Sequence, residues 1–168
     1  MLTLEALSPD DFPLVASWLS QPEINRWLSS EWRGRSIDTL TMAVVVRNKR
    51  NKIFSVRFLG KCCGIVGLSD IDLLDRTAMV WYVLGDTSLR GRGLTTESVI
   101  QITKVAFLEM GIFSLYAWIM EDNQPSRRVL EKAGFCEIGR IRRSACSNGR
   151  QVDRIYFDLV HNGTGEVF

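Results

Sequence analysis

The chain reads as an α+β protein of about seven strands, mostly antiparallel, and about four helices, and three observations predict it. Between Ile53 and Leu84, three strand-like runs are joined only by Gly60-Lys61 and Leu74-Asp75-Arg76, connections short enough for antiparallel neighbours. The glycine-bearing turn Ser88-Leu89-Arg90-Gly91-Arg92-Gly93-Leu94-Thr95-Thr96-Glu97 then leads into a long amphipathic segment that reaches Met110. Near the end, Ser147-Asn148-Gly149-Arg150 joins two more strand-like runs, and Asn-Gly is the strongest two-residue hairpin signal.

The elements follow in order. Leu2 to Leu7 alternate as a short strand, and Ser8-Pro9 suits a helix start, with Phe12, Val15, Ala16 and Leu19 at helical spacing behind it. Gln21-Pro22 breaks that helix before a short turn carrying Ile24 and Trp27, and Ser29 to Ser36 reads as loop. Ile37 to Asn48 suits a helix, although Val44-Val45-Val46 is equally good strand material. The strands Ile53 to Leu59, Cys62 to Ile71 and Thr77 to Leu84 come next, followed by the helix to Met110 with Val99, Ile102, Ala106 and either Val105 or Leu108 inward and Gly111 as its stop. Ile112 to Met120 is a strand, Pro125 to Ala133 a helix ended by Gly134, and Phe135 to Arg142 and Val152 to Val160 close the chain as a hairpin. One domain over 1–160 and a weakly patterned tail over 161–168 are expected.

The 168 residues suffice for one core, and 46% hydrophobic residues, 24% charged residues and a net charge of +2 lie in the ordinary globular range. The basic runs Arg47, Lys49, Arg50, Lys52 and Arg140, Arg142, Arg143 read as solvated faces, so nucleic acid is not the expected partner. Cys62, Cys63, Cys136 and Cys146 lack metal-ligand or redox spacing, and no metal is expected. No apolar run approaches the ~20 residues that span a bilayer, and the start lacks a secretory pattern, so the expected setting is cytoplasmic, with reduced thiols and no membrane partner.

The turn at Arg90 to Thr95 is an anion-site design, because glycines permit a tight turn and close approach while the orphan N–H groups of a helix start favour negative charge. A P-loop would place Lys and Ser or Thr where Leu94-Thr95 stand, and a dinucleotide turn would place a third glycine at Thr96. An RNA-binding arginine-glycine tract would be repetitive, and this run occurs once.

The order of elements and two blocks resemble the GNAT superfamily of acyl-CoA N-acyltransferases, in its ribosomal-protein-alanine acetyltransferase-like branch. The family's pyrophosphate loop, Gln/Arg-x-x-Gly-x-Gly/Ala, is matched by Arg90-Gly91-Arg92-Gly93-Leu94-Thr95, with Thr95 in place of the last small residue. Asn123-Gln124-Pro125-Ser126 and Glu131-Lys132-Ala133-Gly134-Phe135 are similar to that branch's Asn-x-x-Ser and Glu-Lys-x-Gly-Phe segments. The resemblance implies a three-layer fold around a twisted mixed sheet, acetyl-CoA as co-substrate, and direct transfer of the acetyl group in a ternary complex. The acceptor would be a primary amine of a small molecule or a protein N-terminus.

On that resemblance, the pantetheine arm lies along Val83 and Leu84, either of whose amides would polarise the thioester, and the diphosphate sits on Arg90, Gly91, Arg92, Gly93, Leu94 and Thr95. Asn123 and Arg128 would also touch the cofactor. The tyrosine that many relatives use to assist the leaving thiolate falls at Leu130, which leaves Ser126, with Asn123, as the catalytic pair. Both also have ordinary roles, Asn123 as a helix cap and Ser126 as a first-turn serine. The base that relatives often carry in the strand falls at Met79, leaving Asp70, Asp72, Glu97, Glu121 or a water relay, while His161 in the tail is not expected to take part.

Trp18 and Trp27 read as core aromatics, whereas Trp32 and Glu31 in the loop, together with Asp70, are the expected acceptor contacts. Met79 and Leu130 in place of ionisable groups keep a rival open: a non-catalytic acyl-CoA-binding regulatory module. A homodimer is compatible with the pattern, and a weaker third reading is RNA association through the basic runs.

Overall fold

Seven strands form one sheet in the order β1-β2-β3-β4-β5-β7-β6. They are β1 (Leu2–Ala6), β2 (Lys52–Phe58), β3 (Lys61–Asp72), β4 (Thr77–Leu84), β5 (Ser114–Met120), β6 (Cys136–Ser147) and β7 (Arg150–Val160). The computed structural model describes residues 1–163. The part of the expected tail beyond Gly163 lies outside the described residues. Every neighbouring pair is antiparallel except β4 and β5, which run parallel and meet only at Thr77↔Ser114, Ala78↔Leu115 and Met79↔Tyr116.

The helices are α1 (Phe12–Leu19), α2 (Pro22–Asn25), α3 (Thr39–Arg47), α4 (Leu94–Lys104) and α5 (Gln124–Lys132). Alternation along each strand divides the apolar residues between two layers. Ala78 and Val80 of β4 join Val99 and Ile102 of α4 and Leu130 of α5 in one buried cluster, against which Tyr82 packs. Val83 joins Val15 and Leu19 of α1 and Met42 of α3 in a second cluster on the other face, with Trp81 packed against it. The sheet is thus the middle of three layers. Where β4 ends, Trp18 of α1 lies over Gly85 so closely that a Cβ there would stand 2.0 Å from the indole.

The valine run resolves as helix. Asp38 caps α3 by accepting from the Thr41 amide at 2.8 Å, and Met42 is wholly buried beneath it, so capping and packing override the β-branched preference. The inner face of the segment after α4 departs from the expected spacing: Ala106 and Phe107 are buried while Leu108 is 58% exposed. A π-helical turn over Val105–Glu109 adds a residue to the turn and brings Phe107 inward instead. β6 runs on to Ser147, past the expected end at Arg142, with an irregularity between Ile141 and Ala145. The stop after α5 is a Schellman motif: Gly134 has φ +88°, its amide donates to the Glu131 carbonyl, and the Phe135 amide donates to the Leu130 carbonyl.

Candidate active site

The short parallel ladder opens a seam. After the Met79–Tyr116 rung, β4 continues against β3 alone, and β5 continues against β7 alone. The Gly85 amide donates to the Cys63 carbonyl at 2.9 Å, which fixes which residues of β4 turn their peptide groups toward β3. With the register Gly64↔Leu84 and Ile65↔Val83, alternation directs the main chain of Val83 to β3 and that of Tyr82 and Leu84 to the open seam. The unpaired peptide groups of Tyr82 and Leu84 are therefore available to a ligand lying along the strand.

Past the strand end, Asp86 caps a 3-10 turn over Thr87–Leu89 by accepting from the Ser88 amide and hydroxyl at 3.0 and 2.6 Å. Arg90, Gly91, Arg92 and Gly93 follow as an exposed loop, with φ of +78° at Gly91 and +77° at Gly93. Gly93 is the N-cap of α4 and offers no side chain to its amides, so the first-turn N–H groups at Leu94 and Thr95 are open to an anion. The two arginines add charge beside them. Arg128 is exposed on α5.

On the far bank of the seam, the Asn123 side chain caps α5 by accepting from the Ser126 amide at 3.3 Å. Ser126 Oγ donates to Tyr82 Oη at 2.9 Å, and the Tyr82 hydroxyl donates to the Ser126 carbonyl at 3.1 Å. Burial, the larger cause, pushes the Tyr82 pKa well above the ordinary tyrosine value, against a smaller lowering by the Ser126 bond. The phenol is therefore protonated throughout the neutral range. Leu130 is wholly buried in the core under the sheet. Tyr82 was missed in the sequence reading, although the alternation Ala78, Val80, Tyr82 was a signal that it shares a face with the helix carrying Ser126.

The base candidates lie apart. Asp72 accepts from the Leu74 and Asp75 amides in its own turn, and Glu97 is exposed on α4, within 3.4 Å of the Gln101 amide group. Asp70, at φ +50°, faces the Tyr116 hydroxyl, whose pKa is raised first by burial and then by that charge. Glu121, directly after β5, accepts from the Asp153 amide at 3.1 Å. The acceptor candidates Glu31, Trp32 and Asp70 are not gathered together: Glu31 is exposed, Trp32 packs against the second cluster, and Asp70 sits beside the last β4–β5 rung. His161 lies between Phe107 and Phe113, with ring centroids 5.1 and 5.9 Å away.

Comparison with known proteins agrees with this arrangement. The Acetyltransferase (GNAT) domain family matches residues 1–136. A Bacillus subtilis (strain 168) protein named "Putative ribosomal N-acetyltransferase YdaF" is 26% identical over 167 residues, covering 95% of this chain and 91% of that protein. The prophage-derived N-acetyltransferase YokL of the same strain is 26% identical over 161 residues, covering 95% and 89%. Among solved structures, the Vibrio cholerae spermidine N-acetyltransferase in complex with CoA and spermine superposes with a TM-score of 0.84 at 18% identity, covering 95% of each chain. Family match and full-length N-acetyltransferase relatives thus join a sheet that splits beside a helix-start anion site, and the chain belongs to the GNAT acetyltransferase family as an acetyl-CoA-dependent N-acetyltransferase.

Proposed function

We propose that the enzyme transfers acetyl directly from acetyl-CoA to a primary amine, on a small molecule or a protein N-terminus, with both substrates bound together in the seam between β4 and β5. The observation that supports this reading most is the reciprocal Tyr82–Ser126 pair, which joins the start of α5 to the strand on which Leu84 has a free peptide edge. The Arg90–Thr95 loop takes the diphosphate on the amides at the start of α4, with Arg128 beside it. The Leu84 amide donates to the thioester oxygen as negative charge builds there.

The amine nitrogen forms its bond to the carbonyl carbon, and the carbon–sulfur bond then breaks. Ser126 Oγ turns from Tyr82 to the departing sulfur, while the Tyr82 hydroxyl keeps its bond to the Ser126 carbonyl and holds that turn of α5 in place. Tyr82 is thus a positioning residue, and Ser126 is the donor that meets the sulfur. The proton given up by the amine leaves through water and finally reaches the thiolate, so no strong base is required. A protein acceptor accords with the relative named "Putative ribosomal N-acetyltransferase YdaF". The unpaired cysteines, with Cys136 and Cys146 exposed, suit the reducing cytoplasm.

Thiol release from acetyl-CoA in the presence of amino sugars, polyamines and short peptides tests this reading. Acetylated product from at least one amine, formed without a burst of acetylated enzyme, is the expected result. CoA binding with no release across the panel would leave the seam as a binding site only.

A further inference from the structure

The loop after α2 faces the β6–β7 hairpin across a cavity of about 550 Å³, lined by Arg26, Ser30 and Arg33 on one side and by Cys146, Ser147 and Asn148 on the other. No carboxylate is among its described lining residues. The loop that carries both arginines is anchored. Buried Asn25 donates to the Leu19 and Trp32 carbonyls at 2.9 and 3.1 Å and accepts from the Gly34 amide at 2.8 Å, which pins the loop at both ends. Arg33 donates from one terminal nitrogen to the Cys146 carbonyl, while its Nε is buried with no hydrogen-bond partner. Arg26 stacks on Trp27, its guanidinium 4.2 Å from the ring centroid. Two guanidinium groups, Arg33 anchored to the hairpin and exposed Arg26 stacked on Trp27, with no carboxylate partner among the described residues, make a site for an anion.

Ser147 and Asn148 also line a second cavity of about 360 Å³, shared with Glu121 and Asp122. Those two carboxylates stand between the last residue of β5 and Asn123, at the mouth of the seam. Arg150 lines this cavity too, so two carboxylates stand there against one guanidinium, and the path from loop to seam runs from positive charge to a net negative one.

We propose that the acceptor is an amine that also carries an anionic group, a carboxylate or a phosphate, with the anion held by Arg26 and Arg33 and the ammonium drawn past Glu121 and Asp122 to the thioester. The proposal rests on the amine-acetylation reading above. It separates this enzyme from polyamine acetylation, since a substrate cationic at both ends would place a charge against the two arginines with nothing to neutralise them.

Matched substrate pairs test it: 6-aminohexanoate against 1,6-diaminohexane, of equal length, for the carboxylate, and 3-aminopropyl phosphate against 3-aminopropanol, the same amino alcohol with and without the phosphoryl group, for the phosphate. The expected result is a kcat/KM at least tenfold higher for the anionic member of one pair, and that pair names the anion. Arg26→Gln and Arg33→Gln should each bring the ratio toward one, Arg26→Lys should keep most of it, and CoA affinity by calorimetry should not move. Arg26 makes no bond to the hairpin, so its variants read the charge even where Arg33→Gln disturbs the loop. Equal or faster turnover of the diamine and the alcohol overturns the proposal and leaves amine acetylation standing. Bound CoA with no thiol release from any of the four overturns both.

Discussion

Tyr82 of β4 and Ser126 of α5 hydrogen-bond to each other twice, at 2.9 and 3.1 Å, and so tie together the two banks of the seam where β4 parts from β5. Ser126→Ala removes the donor proposed for the sulfur and leaves the Tyr82 bond to the backbone intact. A hydrogen bond to a developing charge contributes about 1.5–3 kcal/mol, so kcat should fall roughly 10- to 100-fold while the CoA Kd stays within twofold. Tyr82→Phe should lower kcat less, by roughly 3- to 10-fold, and reduce unfolding free energy by ~1 kcal/mol. Steady-state kinetics, calorimetric CoA titration and urea denaturation check the set, and full turnover in Ser126→Ala removes that serine from the chemistry.

Adjacent residues of β4 should respond oppositely to proline. Leu84 turns its peptide groups to the seam, so Leu84→Pro deletes an amide that no strand uses. The variant should fold and lose CoA affinity and acetyl transfer together. Val83→Pro breaks a bond to β3 in the middle of the sheet and should cost ~3 kcal/mol or more in stability. Circular dichroism with thermal melting separates the two effects, and an active Leu84→Pro would refute the assignment of that amide.

Gly93 caps α4 at φ +77°, a conformation that costs a residue with a Cβ about 1–2 kcal/mol, and nothing within 4 Å would meet that Cβ. The space is open to a ligand. Gly93→Val should therefore weaken CoA binding by more than tenfold through strain and crowding together. Gly93→Asn, which tolerates the left-handed region, should lose less stability while still placing atoms in the site proposed for the diphosphate. Undiminished CoA affinity in a folded Gly93→Val protein would place the diphosphate elsewhere.

Alkaline pH should weaken the fold. Burial, the larger cause, pushes the Cys62 thiol from 9.0 to about 11, and burial likewise raises Tyr82. Both groups are acids that ionise more readily in the unfolded chain, so their contribution is complete below pH 9 and is lost as pH rises through 9 to 11 and beyond. For half-buried Cys62 the loss is about 1–2 kcal/mol after allowing for solvent screening. Denaturant midpoints measured from pH 7 to 10.5 should fall above pH 9, and Cys62→Ala should postpone the onset. At pH 8, exposed Cys136 and Cys146 should react with a thiol reagent well before Cys62, whose thiolate fraction is then about one in a thousand.

Local chemistry made much of this protein legible in one dimension. Gly91 and Gly93 signal a turn because few other residues accept positive φ, and Asn123, Gly134 and Asn148-Gly149 mark a cap, a helix stop and a hairpin for reasons confined to a few neighbouring atoms. Either Val105 or Leu108 was expected inward, and Phe107 takes that place instead, because a single π turn shifts the inward face and leaves no trace in composition. The valines of α3 could be read either way until a cap and a buried methionine decided between them.

The sequence by itself determined the seven strands and most of their bounds, the loop chemistry at Arg90 to Thr95 and the helix-start position of Ser126, since each depends on local backbone preference and short-period patterning. Only the tertiary structure decided that Leu84, and not Val83, faces the seam, because that depends on which residues of β4 are hydrogen-bonded to β3. It alone brought Tyr82 to Ser126, 44 positions away, and set Arg26 and Arg33 against a hairpin more than a hundred residues distant. Such contacts follow from strand order and register, which no local preference encodes.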